Sequence, residues 1–410
     1  MAKIKVLMIG GKRCGKTTVL AKIRSNFNQV LHHDYDEGND LFTLITPPDK
    51  IAHLNAAEDS VISLFHGNVD EGINPYGTFI INDNLTKELS ITQFKLSPLT
   101  KGINREGIEI EFTDIPGEWC GVIKGNKDEN SDKLDVVTNL VQESQVIIIA
   151  IDTPSLCEED GFYAEFCNRG KNITDAIMNA VVGEFINDPL AQKLILFVPL
   201  KCEKEIINPD GTLNHIGMTT VNNKVKNYYK NLIDKLSRGV YSSKISMAIM
   251  PISTIKEIRW IQFKRVKQNE ETEVWEEMSI HHPNGCPIAL DYARDNDHLA
   301  SYYQFRPNLL ENALIHGPGS ELCEQPLIYI LVYTMQYSLY QRNTKVVATP
   351  QKGVFNNLLA KVAASLRNTW QKINNAFVNN KDLVDELSRL RNKKMRRSNG
   401  VEILQNPLNM

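Results

Sequence analysis

The run Gly10-x-x-x-x-Gly15-Lys16-Thr17 lies within "KIKVLMIGGKRCGKTTVL" (3–20) and has the residue types to hold a phosphate. Mostly apolar residues lead into glycine and positive charge, an unfavourable sequel to a buried strand unless an anion is received there. Glycines let the N–H groups of a tight loop point inward. A helix after the loop adds its free N–H groups and the positive end of its dipole. This is the P-loop pattern in its expected setting, strand before and helix after. Gly10, Gly11, Lys12, Arg13, Cys14, Gly15, Lys16, Thr17 and Thr18 form the candidate nucleotide-binding run. Lys16 is placed to reach β- and γ-phosphates, and the Thr17 hydroxyl to ligate Mg²⁺.

A second group is "IEIEFTDIPGEW" (108–119), where a strand delivers Asp114 followed by Ile115-Pro116-Gly117. The Asp114 carboxylate can hold Mg²⁺ through its water shell. Gly117 lets its N–H turn toward a γ-phosphate, an interaction made with triphosphate and broken with diphosphate.

With these two motifs in order, the chain resembles the P-loop GTPases of the translation-factor and Ras-like (TRAFAC) class, most of all divergent bacterial members with large insertions. The resemblance covers roughly residues 1–255 and extends more loosely to about Tyr340. It implies guanine recognition by an N-K-x-D motif, whose place is taken by "VPLKCEKE" (198–205). Lys201 would lie along the base, and Glu203 would accept from the guanine N1–H and 2-amino group. Leu200 stands where the family has asparagine, and Glu203 is one methylene longer than its aspartate. Ser253 and Thr254 in "MPIST" occupy the position whose backbone meets the base. Glu118 stands where Ras-like members place the glutamine that orients the attacking water. Lys16, Gly117 and Glu118 are thus the candidate catalytic residues, and Lys12 or Arg13 could supply compensating charge. A switch threonine should close over the metal. Thr78, Thr86 and Thr92 lie in the right interval, and Thr86 is the first choice beside Thr17 and Asp114 as a metal ligand.

The elements that must position these residues alternate between strand and helix, which predicts an α/β protein with a largely parallel sheet. Ile4–Ile9 is the first strand and Thr17 to about Phe27 the first helix. A helix is expected over Asp49–Phe65, and a hairpin from Thr92–Leu99 and Ile108–Asp114. "SQVIIIAID", "KLILFVPLK" and "KISMAIMPIS" are continuous apolar runs, as expected of strands buried on both faces. Helices are expected at Ile173–Ile186 and Val221–Leu236. "IRWIQFKRV" and "TEVWEEMSI" alternate with period two and read as an inserted β-hairpin, followed by a loop-rich stretch and a helix from Pro326. The predicted fold is therefore a three-layer α/β/α P-loop domain over 1–343, with insertions at about 28–91 and 256–325. A linker, an amphipathic helix (Phe355 to Phe377) and a basic tail, "RLRNKKMRR", make a helical C-terminal extension over 344–410.

The net charge of −3 implies no global attraction to nucleic acid or membrane. Seven scattered cysteines without a C-x-x-C pair suit a reducing, cytoplasmic setting better than a disulfide scaffold. The N-terminus does not read as a signal peptide, and the Pro326 helix is too short to span a bilayer. His281-His282 with Cys286 lacks a second ligand pair, and Pro-Asn-Gly favours a plain turn. The basic tail reads as a solvated helix end, with anionic lipid or nucleic acid as a weaker alternative.

The resemblance implies a GTP- and GDP-binding protein that hydrolyses GTP with Mg²⁺, slowly without a partner. It would switch an unidentified protein partner through its switch regions or C-terminal helix. An ATP-using P-loop NTPase or kinase, and a non-catalytic nucleotide-binding interaction protein, stay open as alternatives.

Overall fold

The structure is a computed structural model that describes residues 2–11, 14–32, 42–47, 51–52, 54–59, 78–80, 89–98, 108–117, 119–121, 131–158, 161–187, 192–268, 275–285, 288, 297–343, 381–395 and 399–408. Twelve strands run in chain order among these residues: β1 Ala2–Gly10, β2 Phe42–Ile45, β3 Thr78–Ile80, β4 Ser90–Pro98, β5 Ile108–Asp114, β6 Val146–Asp152, β7 Lys193–Leu200, β8 Ile245–Ile249, β9 Ile258–Gln268, β10 Trp275–Met278, β11 Asp297–Phe305 and β12 Glu402–Gln405.

The main sheet has eight strands in the order β12-β8-β7-β6-β1-β5-β4-β2. The run from β8 to β5 is parallel, while β4, β2 and β12 join antiparallel at the two edges. Strands β6, β7 and β8 are buried along their whole length, which is why they read as unbroken apolar runs. Strand β5 instead alternates in its first half, where the half-buried Glu109 and Glu111 pair with Lys3. Helices form the outer layers. Lys16–His32 packs against Gln325–Asn343, and Ser131–Glu143 against Gly170–Asn187. This is the P-loop α/β/α fold.

Three differences from the sequence reading have physical causes. The hairpin β9–β10 is not a lone appendage. Strand β11 pairs along the other side of β9, and β3, from the earlier insertion, pairs with β11. The two segments read as insertions thus meet in one four-stranded antiparallel sheet, β10-β9-β11-β3. It carries its own small core, including Tyr163, Ile258, Trp260, Phe263, Tyr303 and Phe305, because two strands alone bury too little to be stable.

The stretch after β10 is likewise not all loop. It holds β11 and the helix Pro307–His316, which starts with proline at its first position. Finally, the tail is anchored rather than free. Leu383, Leu387 and Leu390 on the helix Lys381–Lys394 are buried in the main core, while Arg389, Arg391, Lys393 and Lys394 stay at least partly exposed, and β12 closes the β8 edge. The amphipathic helix expected over 355–377 lies outside the described residues. The helix expected over Val221–Leu236 is two helices, His215–Tyr228 and Lys230–Leu236, that join at the buried Tyr229. The Asp49–Phe65 region is helical at 51–52 and 54–59.

Candidate functional site

Strand β1 has β5 on one side and β6 on the other, so the direction of winding reverses beside it. In open α/β sheets that switch point, outside the carboxyl ends of the strands, is where ligands bind. The register brings the chemistry there. Met8 pairs with Asp114, Gly10 with Ala150, and Asp152 with Leu200. Asp114, Asp152, Lys201 and the turn after β1 therefore share one rim.

The turn itself is held by close packing. Gly15 has φ +98, the left-handed region that favours glycine. Its carbonyl accepts from Val19 N–H at 3.0 Å, the first bond of the helix. A Cβ on Gly11 would run into the backbone carbonyl of Cys167, so the segment after β6 lies directly over the turn. Asn168 ties that segment down. Its Oδ1 accepts from Asp152 N–H at 2.6 Å, and its Nδ2 donates to Asp152 O at 3.2 Å and Ser155 Oγ at 3.0 Å.

Lys16 is only 7 % exposed. Its ammonium lies 3.2 Å from Gly11 O, 3.5 Å from Gly10 O and 3.8 Å from Asp114 Oδ1. Thr17 Oγ1 lies 3.4 Å from Asp114 Oδ2. A hydroxyl and a carboxylate converging beside a cationic loop are hard oxygen donors of the kind Mg²⁺ takes, with the rest of its shell left to water and phosphate. No group of three or more His, Cys, Asp or Glu side chains with metal-site geometry occurs among the described residues, and a Mg²⁺ site of this type does not need one. Cys14 is fully buried and its thiol is pushed up by burial. Thr18 is half-buried on the first turn of the helix.

On the far side of the turn, Lys201 adopts φ +56 and donates from Nζ to Asp152 Oδ2 at 2.8 Å. Burial opposes the lysine's charge, but the Asp152 carboxylate outweighs it and holds the ammonium above its ordinary value. Two residues on, Glu203 is 2 % exposed. Its Oε1 accepts from Thr254 N–H at 3.2 Å and Ile255 N–H at 3.5 Å. Its Oε2 is buried with no hydrogen-bond partner among the described residues. Burial pushes the Glu203 carboxyl up to about 7, against the pull of the backbone amides and of Lys201.

Ser253 and Thr254, expected to meet a base through their backbone, are engaged otherwise. Ser253 N–H donates to Glu321 O at 3.0 Å and its carbonyl accepts from Glu321 N–H at 2.8 Å, while the Thr254 amide holds Glu203. Gly117 is buried at the end of the Asp114 turn. Thr92 is buried in β4, paired with Phe112, and Thr78 is in β3, opposite Tyr303 in the second sheet. Lys12, Arg13, Thr86 and Glu118 lie outside the described residues. His281 and His282 sit in a turn closed by Gly285 N–H donating to His282 O at 2.8 Å, and Cys286 lies outside the described residues.

The structure brings in Asp152, Asn168 and Arg306, whose roles leave no local sequence signal. The acid ending the β6 run is visible in the sequence, but nothing local signals that its partner is a lysine 49 residues away.

The fold and the loop at its switch point define a P-loop α/β/α protein. No family model and no curated protein matches the sequence. Among solved structures it overlaps loosely with the signal recognition particle receptor SRβ–GTP/SRX complex from Chaetomium thermophilum, at 11 % identity, over 62 % of this chain and 91 % of that one, with a TM-score of 0.32. It also overlaps with the Saccharomyces cerevisiae Ski7 GTPase-like domain in two states, bound to GDP with inorganic phosphate and bound to GTP. Both match at 10 % identity, over 74 % of this chain and 70 % of that one, with TM-scores of 0.28 and 0.27. Overlaps this loose carry no weight on function. The class rests on the sheet order and the loop.

Proposed function

We propose that the protein binds GTP with Mg²⁺, hydrolyses it slowly by in-line attack of water, and uses the difference between triphosphate and diphosphate to control a protein partner. One observation carries the choice of guanine. Glu203 is buried on the same rim as the phosphate loop, with one oxygen held by two backbone amides and the other without a partner among the described residues. A buried acceptor of that kind costs free energy until a donor reaches it, and guanine offers N1–H and the 2-amino group side by side, where adenine has an acceptor N1 and a C2–H. Lys201, fixed by Asp152, forms the wall beside it.

In this reading Lys16 exchanges the Gly10 and Gly11 carbonyls for β- and γ-phosphate oxygens, and the first amides of the helix Lys16–His32 receive the phosphate charge. Thr17 and Asp114 hold the Mg²⁺, with Thr86 as the switch ligand. The bound metal would neutralise charge developing across the phosphates. Gly117 turns its amide toward the γ-phosphate, and Glu118 orients water with Lys12 or Arg13 offsetting its charge. The six described cysteines are all free thiols, which suits a reducing compartment, and no helix among the described residues is long and apolar enough to cross a membrane.

Competition binding with GTP and ATP, together with phosphate release from wild type and Lys16→Ala, tests the reading. Tighter GTP binding and loss of release in the variant are expected. A clear ATP preference defeats the Lys201–Glu203 assignment in favour of an ATP-using enzyme. Equal phosphate release from both proteins makes this a nucleotide-binding interaction protein. Turnover that survives Glu118→Ala removes Glu118 from the mechanism.

A further inference from the structure

We propose that Arg306, which belongs to the inserted sheet and not to the phosphate-binding core, is a positioning residue for base selection. It fixes the turn that carries Glu203, so guanine selectivity depends on the insertion. The inference rests on the reading of Glu203 as the base acceptor.

Arg306 comes directly after β11 and precedes the helix Pro307–His316. It is buried. Its Nη2 donates to Glu203 O at 2.6 Å, and its Nη1 donates to Ile207 O and Asn208 O, both at 2.9 Å. Its Nε lies 3.4 Å from Ile258 O at the start of β9. One planar fork therefore spans the whole turn from Glu203 to Asn208 and pins it to the inserted sheet. A lysine has the charge but not the fixed fork, so it cannot reach all of these carbonyls at once.

The backbone of Arg306 is itself anchored. Its N–H donates to Glu257 O at 2.7 Å, and its carbonyl accepts from Leu309 and Leu310 N–H at 3.0 and 3.1 Å. Just upstream, the β11–β9 register shifts between Tyr302 and Tyr303. Irregularities of this kind bend a strand and re-aim the residues beyond it. Two further ties join the same turn to the insertion. Lys204 Nζ sits 5.1 Å from the centre of the Trp260 ring, and the Thr254 and Ile255 amides that hold Glu203 Oε1 lead straight into β9. Glu203 is thus placed by the insertion from its backbone and its side chain together.

The test measures GTP and ITP binding, each with Mg²⁺, by calorimetry on wild type, Arg306→Met, Arg306→Lys and Lys193→Met. ITP lacks the 2-amino donor that Glu203 would accept. Wild type should prefer GTP by about tenfold, the worth of one hydrogen bond to a charged group. Both Arg306 variants should bring the ratio below about threefold. Lys193→Met disturbs the opposite end of β7 and should keep the wild-type ratio, which separates lost stability from lost positioning. An Arg306 variant that melts cooperatively and keeps the full ratio overturns the proposal. Equal GTP and ITP affinity in wild type defeats the Glu203 reading, and this proposal with it. If neither Arg306 variant folds, hydrogen exchange on the wild type decides. GDP must slow exchange in 203–208 and in 306–310 together, and protection confined to the first segment overturns the proposal.

Discussion

Lowering the pH from 8 to 6 should weaken guanine-nucleotide binding about tenfold through Glu203 alone. Burial pushes its carboxyl up to about 7, and only the carboxylate can accept from both guanine donors. Apparent affinity scales with the competent fraction, which is roughly nine-tenths at pH 8 and one-tenth at pH 6 for a group titrating near 7. Stability moves the opposite way. Between the ordinary value of 4.5 and about 7, the native state holds a proton that the unfolded chain has lost. Stability is therefore highest below that window and falls as pH rises through it, by about 3 kcal/mol in total. The assay is the ratio of GTP to ATP affinity across pH 6–8, in which phosphate ionisation common to both cancels. Glu205, two residues on, is also pushed up to about 7 by burial, with Glu203 and Glu158 adding to it, so it must be separated. Glu203→Gln should flatten the ratio and Glu205→Gln should leave its slope intact. A wild-type ratio that does not change with pH, or a slope that survives Glu203→Gln, refutes the reasoning.

The geometry makes three further outcomes testable. Asp114→Asn should reduce the Mg²⁺ dependence of triphosphate binding at least tenfold, read from metal titrations, because it removes the carboxylate charge beside Thr17. Gly11→Ala should lower the melting temperature and weaken nucleotide binding, since its methyl group must push the Cys167 backbone off the loop. Strain of this kind costs about 1–3 kcal/mol, and an unchanged melt would show that the segment over the loop yields freely. Lys193→Met should cost about 3 kcal/mol in denaturant unfolding without touching nucleotide selectivity. Its buried ammonium donates to the Val141, Gln142 and Ser144 carbonyls at 2.8–2.9 Å, closing the end of the helix Ser131–Glu143.

The glycine turn after β1 and the parallel strands are legible in the sequence because their causes are local. Gly15 takes a positive φ, and β6, β7 and β8 are mostly apolar because both of their faces are covered. Strand β11 was not legible. Ala300 and Tyr303 are both buried, three positions apart, because the register shift at Tyr302 and Tyr303 breaks the period of two on which strand reading depends. The tail escaped for a different reason. The spacing of Leu383, Leu387 and Leu390 is that of one helix face and is visible in the sequence, but the arginines and lysines around it mask its apolar stripe. Arg306 was beyond reach. Its partners are backbone carbonyls about a hundred residues away, and backbone acceptors leave no mark on a sequence.

Strand β12 has a bearing on how the molecule is made. A ribosome releases β8 about 150 residues before the segment that will cover its flank, a wait of roughly eight to thirty seconds at usual elongation rates. During that interval the strand beside β7 offers open hydrogen bonds to any passing chain. Nascent protein should therefore need a holding chaperone, and a message cut short of codon 400 should yield sticky product with an open β8 edge.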